Sequence, residues 1–177
     1  MSWKKLSTRK VFEHARIEIY EDIVELPSGH QTDYIHFGSE KDVATIIAVN
    51  EMDKILLQRE YSYPQREKLF QFPGGAIEDG ETSLEGAARE LAEEGQLKGE
   101  LKQIGWFFIN NRRSTSKMYV FVATNLQPTE AEKDIEEEFE DFWLTPDEIN
   151  ELIRKNKICN YSTLSAWTFF INNQQHQ

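Results

Sequence analysis

The amino-acid sequence predicts an α+β fold in which helices cover a mixed sheet, with an additional N-terminal β region. Short apolar segments of strand type predominate along the chain, and three segments are of helical type, two of them with capping residues at their start. The elements follow the order β, loop, α, β, β, α, α, which argues against a parallel doubly wound fold. We therefore expect an N-terminal β-strand extension over residues 1–42 and a main domain over residues 43–177.

The first third of the chain is predicted to form strands. Apolar residues recur near every second position between residues 11 and 24, and PSGHQ forms a turn before TDYIHF, so the start is a β-meander. In DVATIIAVNEMDKILLQREYSYP, two aliphatic runs flank NEMDK. This pattern predicts a hairpin of partly or wholly buried strands.

The loop FQFPGGAIEDGETS leads into a helix over about residues 83–94. Thr82 is a suitable N-cap, and Glu85 three residues later completes a capping box. Gly95 is expected to adopt the left-handed conformation that ends the helix. Leu84, Ala87, Ala88 and Leu91 are expected to pack against the sheet.

The second half of the chain continues with two strands and two helices. LKQIGWFFINN and SKMYVFVATNL are apolar strands joined by the basic segment NNRRS, and the acidic stretch EAEKDIEEEFEDFWL follows them. Thr145 as N-cap, Pro146 at the first helical position and Glu148 at the third predict the next helix. A last helix is expected from Tyr161 to about Asn172.

Composition excludes several classes of protein. With 31 acidic and 20 basic residues, the 177-residue chain has a formal net charge of −11, so neither nucleic acid nor an anionic membrane is an expected partner. No apolar run approaches the roughly 20 residues that span a bilayer. The single Cys159, which we expect to be buried, and the lack of a signal-peptide apolar region suit a reducing, cytoplasmic setting.

Three carboxylates share one face of the predicted helix over residues 83–94. On a helical wheel with Glu90 as the origin, Glu94 falls about 40° to one side and Glu93 about 60° to the other. Like charges at these spacings repel by a few tenths of a kcal/mol per pair, and Arg89 alone does not neutralise three of them. A hard divalent cation, Mg²⁺ or Mn²⁺, would do so.

The loop before this helix adds a further candidate metal ligand. Pro73-Gly74-Gly75 allows close approach of the backbone, so the carbonyl of Gly74 is a candidate hard ligand. Gly86 lies one turn before Glu90 on the acidic face. There, the missing side chain is expected to leave room for a bound group.

This region resembles the Nudix box, GX5EX7REUXEEXGU, in which U is aliphatic. Gly75, Glu81 and the run Arg89-Glu90-Leu91-Ala92-Glu93-Glu94 match its fixed positions. The chain departs from the pattern at Gln96, where the box has Gly, while Leu97 matches the final aliphatic position. We therefore expect an altered helix exit and an intact metal site.

The resemblance implies an α/β/α sandwich and a hydrolase that acts on nucleoside diphosphates linked to another moiety, with Mg²⁺ or Mn²⁺. It implies that Glu90 and Glu94 are the principal metal ligands, and that the carbonyl of Gly74 is a further one. It also implies that Glu93 contributes as a ligand, directly or through water, and as a catalytic group. Glu81 and Arg89 are implied to form a structural ion pair that holds the loop to the helix.

Beyond the box, the chain resembles the ADP-ribose pyrophosphatase and nucleotide-sugar hydrolase branch. The turn Leu26-Pro27-Ser28-Gly29, the segment REYSYP over residues 59–64 and FQFPGG follow that branch's layout. The N-terminal strands of this branch commonly build a homodimer, so residues 1–42 are expected to dimerise, with the Nudix hydrolase domain over residues 43–177.

The branch usually carries its general base, or a further metal ligand, on an acidic loop after the core strands. Glu136, Glu137 and Glu138 occupy that region here, and alignment back from the final helices favours Glu137. The alternative for each of the three is a solvated acidic loop.

Substrate contacts are expected from arginines. Ser62 stands where ADP-ribose enzymes of the branch often have Arg, and the loop Asn110–Ser116 contains Arg112 and Arg113. A guanidinium suits phosphate or sugar, so these two arginines, with Arg59 of REYSYP, are candidate substrate contacts. The alternative is that the loop arginines cap a strand end beside an acidic surface. Four aromatic residues are candidates for stacking on a base, or else core or dimer contacts: Tyr61, Tyr63, Trp106 and Phe108.

The predicted activity is metal-dependent hydrolysis of the pyrophosphate bond of a nucleoside diphosphate sugar, ADP-ribose or a related compound. The products would be a nucleoside monophosphate and a sugar phosphate. One alternative is a pyrophosphohydrolase of dinucleoside polyphosphates or damaged nucleotides. Another is a catalytically silent Nudix module that senses a nucleotide, which the retained box carboxylates disfavour.

Overall fold

The computed structural model describes residues 2–38, 41–131 and 138–174, and within them the chain forms nine strands and three helices. The strands are β1 Lys4–His14, β2 Ile17–Glu25, β3 Gln31–Phe37, β4 Val43–Ala48, β5 Ile55–Ser62, β6 Glu67–Gln71, β7 Leu97–Phe108, β8 Lys117–Pro128 and β9 Glu140–Leu144. The helices are α1 Ser83–Glu93, α2 Pro146–Arg154 and α3 Tyr161–Gln174.

The chain divides into two compact units, of which the first contains Met1–Lys41 and Phe108–Lys117. Its three-stranded antiparallel sheet has the order β1-β2-β3, which confirms the predicted β-meander. The segment before β8 belongs to this unit because its backbone bonds to β3: the N–H of Phe37 donates to the carbonyl of Arg113 at 2.7 Å.

The second unit contains Asp42–Phe107 and Met118–Gln177 and includes two further three-stranded sheets, β4-β8-β7 and β6-β5-β9. β4 pairs with β8 in parallel, whereas β5 pairs with β6 and β9 in antiparallel fashion. The short strands β6 and β9 were not predicted. Each has five residues at the edge of its sheet, and charged residues interrupt the apolar alternation that marks a longer strand.

The predicted hairpin of β4 and β5 is wrong, although both strands exist and are largely buried. The two strands belong to different sheets and meet only at a bridge between Val49 and Ile55, where the N–H of Asn50 donates to the carbonyl of Lys54. Two adjacent apolar runs do not reveal their partners, because strand pairing is decided by the whole sheet and not by chain proximity.

Alternating side chains of the second unit enter two separate apolar cores. Ile46 and Leu56 pack with Leu91 of α1. Ile47 and Leu57 pack in the other core, with α2 and α3 residues such as Trp167. Successive strand residues point to opposite faces, so helices cover both faces of the sheet layer.

Helix α1 starts as predicted but ends differently. Thr82 and Glu85 form both hydrogen bonds of a capping box. At the other end, the left-handed residue is Gln96 (φ 51°), not Gly95. The Gln96 side chain offsets the cost of this conformation, since its Nε2 lies 3.0 Å from the carbonyl oxygens of Ala92 and Glu93.

Gly95 serves close packing instead of a left-handed turn. A Cβ at this position would lie 2.8 Å from the carbonyl oxygen of Leu91 and 3.5 Å from Cδ2 of Leu56. The helix therefore exits where the Nudix pattern places its glycine, and the expected altered exit is not observed.

The two C-terminal helices are confirmed. Thr145 and Glu148 form the predicted capping box of α2. Asn160 precedes α3 and accepts a hydrogen bond from the N–H of Thr163 at 2.9 Å. Cys159 is exposed, which corrects the expectation of a buried residue. Among the described residues, none of the helices combines the length and apolarity needed to cross a membrane.

Candidate active site

Helix α1 buries a different face from the one predicted. Leu84 and Ala88 are exposed, whereas Ala87, Leu91 and the carboxylate-bearing Glu90 are buried. The buried stripe is therefore rotated toward the carboxylates. Glu90 lies inside the interface between the helix and the preceding loop, and not at its rim.

The loop that carries Gly74 runs antiparallel to β4. The carbonyls of the residues on either side of Gly74 accept hydrogen bonds from the β4 backbone at 2.8 and 2.9 Å. In an extended segment, the N–H and C=O of the intervening residue point to the opposite side. There, the N–H of Gly74 donates to Oε2 of Glu94 at 2.7 Å, so the Gly74 carbonyl faces the same side as Glu94.

Both glycines of this loop are required by close contacts. Gly74 has a φ of 150°, and a Cβ there would lie 2.8 Å from Cα of Thr45. A Cβ on Gly75 would lie 2.5 Å from Oε1 of Glu90. The absence of side chains lets the loop backbone lie directly against the two buried carboxylates.

Arg89 uses all five of its N–H groups in hydrogen bonds. Nε and Nη2 donate to the two oxygens of Glu81 at 2.9 and 3.1 Å. Nη1 donates to Glu90 at 2.8 Å and to Glu93 at 2.9 Å, and Nη2 also donates to the carbonyl of Ala76. Arg89 thereby joins the loop to the helix, and its carboxylate partners raise the pKa of the guanidinium, Glu81 most of all.

The carboxylates Glu90, Glu93 and Glu94 carry more negative charge than Arg89 balances. Glu90 is 8% exposed and Glu94 is 6% exposed. Burial raises the pKa of Glu90, and the charges of Glu93 and Glu81 act in the same direction, against the lowering effect of Arg89. A second positive charge at this helix end would therefore be favourable.

The donor chemistry of these residues fits a hard divalent cation. Two buried carboxylates and a backbone carbonyl facing the same side are oxygen donors of the type that Mg²⁺ and Mn²⁺ prefer. Within residues 2–38, 41–131 and 138–174, no group of three His, Cys, Asp or Glu side chains is already arranged to hold an ion. Oxygens of Glu90, Glu93 and Glu94 that would bind a metal ion accept hydrogen bonds from Arg89 or from the N–H of Gly74.

Gly86 does not leave room for a ligand, which corrects the sequence expectation. A Cβ there would lie 3.2 Å from Cγ1 of Ile77 and 3.3 Å from Oε2 of Glu81. The protein's own loop fills the space beside Gly86, so this glycine allows the loop to pack against α1.

Sequence reasoning missed Gln58, which the structure connects to the carboxylate-bearing helix. It is fully buried in β5, and its Nε2 lies 3.1 Å from the main-chain oxygen of Glu94 and 3.0 Å from Oδ1 of Asp141. Its Oε1 is buried without a hydrogen-bond partner among the described residues. A lone Gln inside the apolar run ILLQRE was the available signal, since a buried amide is costly unless it has a structural or functional use.

Arg59 lies on the opposite face of β5 from Gln58, because successive strand residues alternate. Nη2 of Arg59 donates to Glu140, and its guanidinium lies 5.7 Å from the ring centre of Phe70 and 5.4 Å from that of Phe142. These contacts hold Arg59 within the β6-β5-β9 sheet. Its role as a substrate contact stays a prediction.

Arg112 and Arg113 lie in the first unit, where they line a cavity of about 610 Å³ together with Tyr34. The hydroxyl of Tyr34 donates to the carbonyl of Arg112. Nη1 of Arg113 donates to the carbonyl of Ile35 at 2.6 Å, and its guanidinium lies 5.5 Å from the Tyr34 ring centre. Their assignment as substrate contacts also stays a prediction.

Two of the three acidic-loop candidates, Glu136 and Glu137, lie outside the described residues. Glu138 is exposed.

The structure brings together six of the predicted site residues: Gly74, Glu81, Arg89, Glu90, Glu93 and Glu94. Arg59 lies on the other face of its sheet from Gln58, which bonds to the end of α1.

Sequence comparisons relate the chain to one domain family and to two known proteins. The NUDIX domain model matches residues 40–165. The chain is 29% identical over 168 residues to the methanol dehydrogenase activator of Bacillus methanolicus, and this alignment covers 92% of this chain and 89% of that protein. It is 26% identical over 136 residues to the ADP-ribose pyrophosphatase of Bacillus subtilis (strain 168), and this alignment covers 76% of this chain and 73% of that protein.

The fold is similar to that of a solved structure. The crystal structure of an ADP compounds hydrolase superposes with a TM-score of 0.93 over 100% of this chain and 96% of that chain, at 21% identity. This likeness confirms the predicted α+β fold class with helices on both faces of a mixed sheet.

Proposed function

Because this chain belongs to the NUDIX domain family and is a Nudix pyrophosphatase of the ADP-ribose pyrophosphatase branch, we propose that it hydrolyses the pyrophosphate bond of nucleoside diphosphate sugars such as ADP-ribose. The observation that carries this proposal is the set of carboxylates on α1, two of them buried, with Arg89 as their shared guanidinium partner. Such a site attracts a cation, and through the cation a polyphosphate.

A divalent ion, Mg²⁺ or Mn²⁺, would be held by Glu90 and Glu94, with Glu93 binding directly or through water and the carbonyl of Gly74 adding a ligand. When bound, the ion neutralises the diphosphate, polarises phosphorus and lowers the pKa of a water molecule. The contribution of Gly74 is supported by its carbonyl facing the same side as its N–H, which bonds to Glu94.

In the proposed reaction, the oxygen of a water molecule forms a bond to one phosphorus while the bond from that phosphorus to the bridging oxygen breaks. The water's proton passes to a carboxylate, for which Glu93 and Glu137 are the candidates. The products are a nucleoside monophosphate and a sugar phosphate. Arg59, Arg112 and Arg113 remain the proposed cationic contacts for phosphate or sugar.

The proposed substrate is consistent with the charge of the chain. A formal net charge of −11 disfavours nucleic acid and anionic membranes as partners, while a bound divalent ion reverses the field locally. We propose the cytoplasm as the compartment, because a single cysteine suits a reducing setting.

We propose that residues 1–42 mediate a homodimer. Exposed apolar side chains along β1 and at the start of β2 support this proposal: Trp3, Leu6, Val11, Phe12 and Ile17. Light scattering should give twice the mass of the chain, and Phe12→Ser should shift the population toward monomer. The exposed Met52→Ser, which lies in the turn between β4 and β5, serves as the control. A wild-type monomer at micromolar concentration would contradict the proposal.

The activity is tested with a substrate panel in ¹⁸O-labelled water. ADP-ribose, GDP-mannose and a diadenosine polyphosphate should be compared at equal concentration with Mg²⁺, with Mn²⁺ and with a chelator. We expect metal-dependent release of a nucleoside monophosphate from the nucleotide sugars, with ¹⁸O in one of the two products. Faster cleavage of the dinucleoside polyphosphate, or no cleavage of any substrate in the panel, would contradict the proposed substrate class.

A further inference from the structure

The second unit contains a cavity of about 690 Å³ that is lined by three exposed tyrosines. Tyr61 and Tyr63 lie at the end of β5 and in the turn that follows, and Tyr161 begins α3. They are 53%, 79% and 54% exposed, respectively. Three large rings around one cavity present apolar faces to solvent with a polar tip on each, which is the form of a recognition surface.

The lining of this cavity disfavours phosphate. Glu60 is the charged side chain among its described lining residues, and no Lys or Arg is one of them. The remaining polar lining groups are neutral amides and hydroxyls, including those of Gln65, Asn160 and Ser162. An uncharged ring with hydroxyl or amino groups suits a lining of this kind, whereas a pyrophosphate would meet the Glu60 carboxylate with no Lys or Arg among the described lining residues to offset its charge.

Two paired glutamines connect the cavity to the end of the carboxylate-bearing helix. Gln71, which lines the cavity, is directly opposite Gln58 in the antiparallel β5 and β6 pair, so their side chains share one face of the sheet. Gln58 in turn donates to the main-chain oxygen of Glu94 at 3.1 Å. Gln71 and Gln58 therefore connect the cavity wall to Glu94, a candidate metal ligand at the end of α1.

The carboxylate in the cavity is held in place by the protein. Nε2 of Gln71 donates to Oε2 of Glu60 at 2.9 Å. Glu60 is one of the lining residues, and a carboxylate has more acceptor sites than the one that Gln71 uses, so it can accept a hydrogen bond from a ligand hydroxyl or amino group.

We propose that this cavity binds the uncharged ring of the substrate, either the base or the distal sugar, while the pyrophosphate lies at the carboxylates of α1. This inference rests on the proposed function. The tyrosine rings stack on the ligand ring, and Glu60 accepts from its hydroxyl or amino groups. Loss of one stacking partner is worth about 1–3 kcal/mol of binding, which corresponds to roughly 5- to 150-fold in affinity.

The test uses Tyr63→Ala and Tyr161→Ala, with Tyr63→Phe and Met52→Ala as controls. We expect both alanine variants to raise KM for ADP-ribose at least about 5-fold, with kcat changed less than about 2-fold. Tyr63→Phe should keep the wild-type KM because it retains the ring. Met52 is 73% exposed and does not line the cavity, so Met52→Ala should match wild type.

A second measurement, without metal and without turnover, separates this proposal from the proposed function. Binding of AMP and of ribose 5-phosphate is measured by calorimetry in the presence of a chelator. Weaker AMP binding by the alanine variants identifies the base as the ligand ring, and weaker ribose 5-phosphate binding identifies the sugar. If the enzyme hydrolyses ADP-ribose but neither KM nor the binding of either probe depends on these tyrosines, the cavity proposal is overturned and the proposed function stands. Tyrosine-dependent binding in a protein that hydrolyses no nucleotide sugar would support the cavity and overturn the activity.

Discussion

Glu94→Gln is expected to lower kcat for metal-dependent hydrolysis by about 10²–10³-fold, the scale seen when a charged or polar group that acts on the transition state is removed. The amide oxygen of Gln can still accept the hydrogen bond from the N–H of Gly74, which Glu94 accepts at 2.7 Å. The substitution removes the negative charge and leaves the volume nearly unchanged. Steady-state kinetics with Mg²⁺, together with a Mn²⁺ binding titration, measure the effect on activity and on metal affinity separately.

The matched control is Glu85→Gln, on the same helix. Glu85 accepts the N–H of Thr82 in the capping box, and Gln is also suited to that position. We expect kcat within about 2-fold of wild type, because the same change from carboxylate to amide is made at a residue that bonds to Thr82 and lies outside the proposed metal site. Full activity and unchanged Mn²⁺ affinity in Glu94→Gln would remove Glu94 from the metal site.

Arg89→Met is expected to lower the free energy of unfolding by about 3 kcal/mol, as when one partner of a buried ion pair is removed. The loss leaves Glu81, Glu90 and Glu93 without the guanidinium that bonds to all three. Met keeps much of the apolar stem, so the change reports on charge and hydrogen bonding more than on packing. Urea denaturation followed by circular dichroism gives the difference.

The matched control is Arg154→Met at the end of α2. The side chain of Arg154 is 66% exposed and pairs with the half-exposed Glu151, whereas that of Arg89 is 27% exposed. A surface pair of this kind contributes about 0–1 kcal/mol. Equal destabilisation by the two substitutions would show that Arg89 is not the residue that holds the loop to the helix.

The helices of this protein could be predicted because their signals are local. A capping box at Thr82 and another at Thr145 satisfy helix N–H groups within four residues, so the sequence itself contains both partners of the interaction. The residue that ends α1 was predicted one position too early. Gly95 was the expected left-handed residue, but Gln96 adopts this conformation with a φ of 51°, and its side chain bonds to carbonyls of the last turn.

The candidate site could be predicted to the extent that it lies on one helix. Residues three and four apart share a face of a helix, so the proximity of Glu90, Glu93 and Glu94 follows from their spacing. The hydrogen bonds of Gln58 to the end of α1 and to β9 could not be predicted, because Gln58 is 36 residues from Glu94 and 83 from Asp141 along the chain.

Helix α1, its capping residues and the carboxylates on one of its faces follow from the amino-acid sequence. Three features depend on the folded chain: Glu90 is buried beneath Gly75, β4 pairs with β8 and not with β5, and Gln58 reaches the end of α1. The two kinds of feature differ in the distance along the chain over which they are set. Periodicity and capping act over a few bonds of chain, whereas burial, strand partners and buried polar contacts depend on which distant segments meet when the core closes.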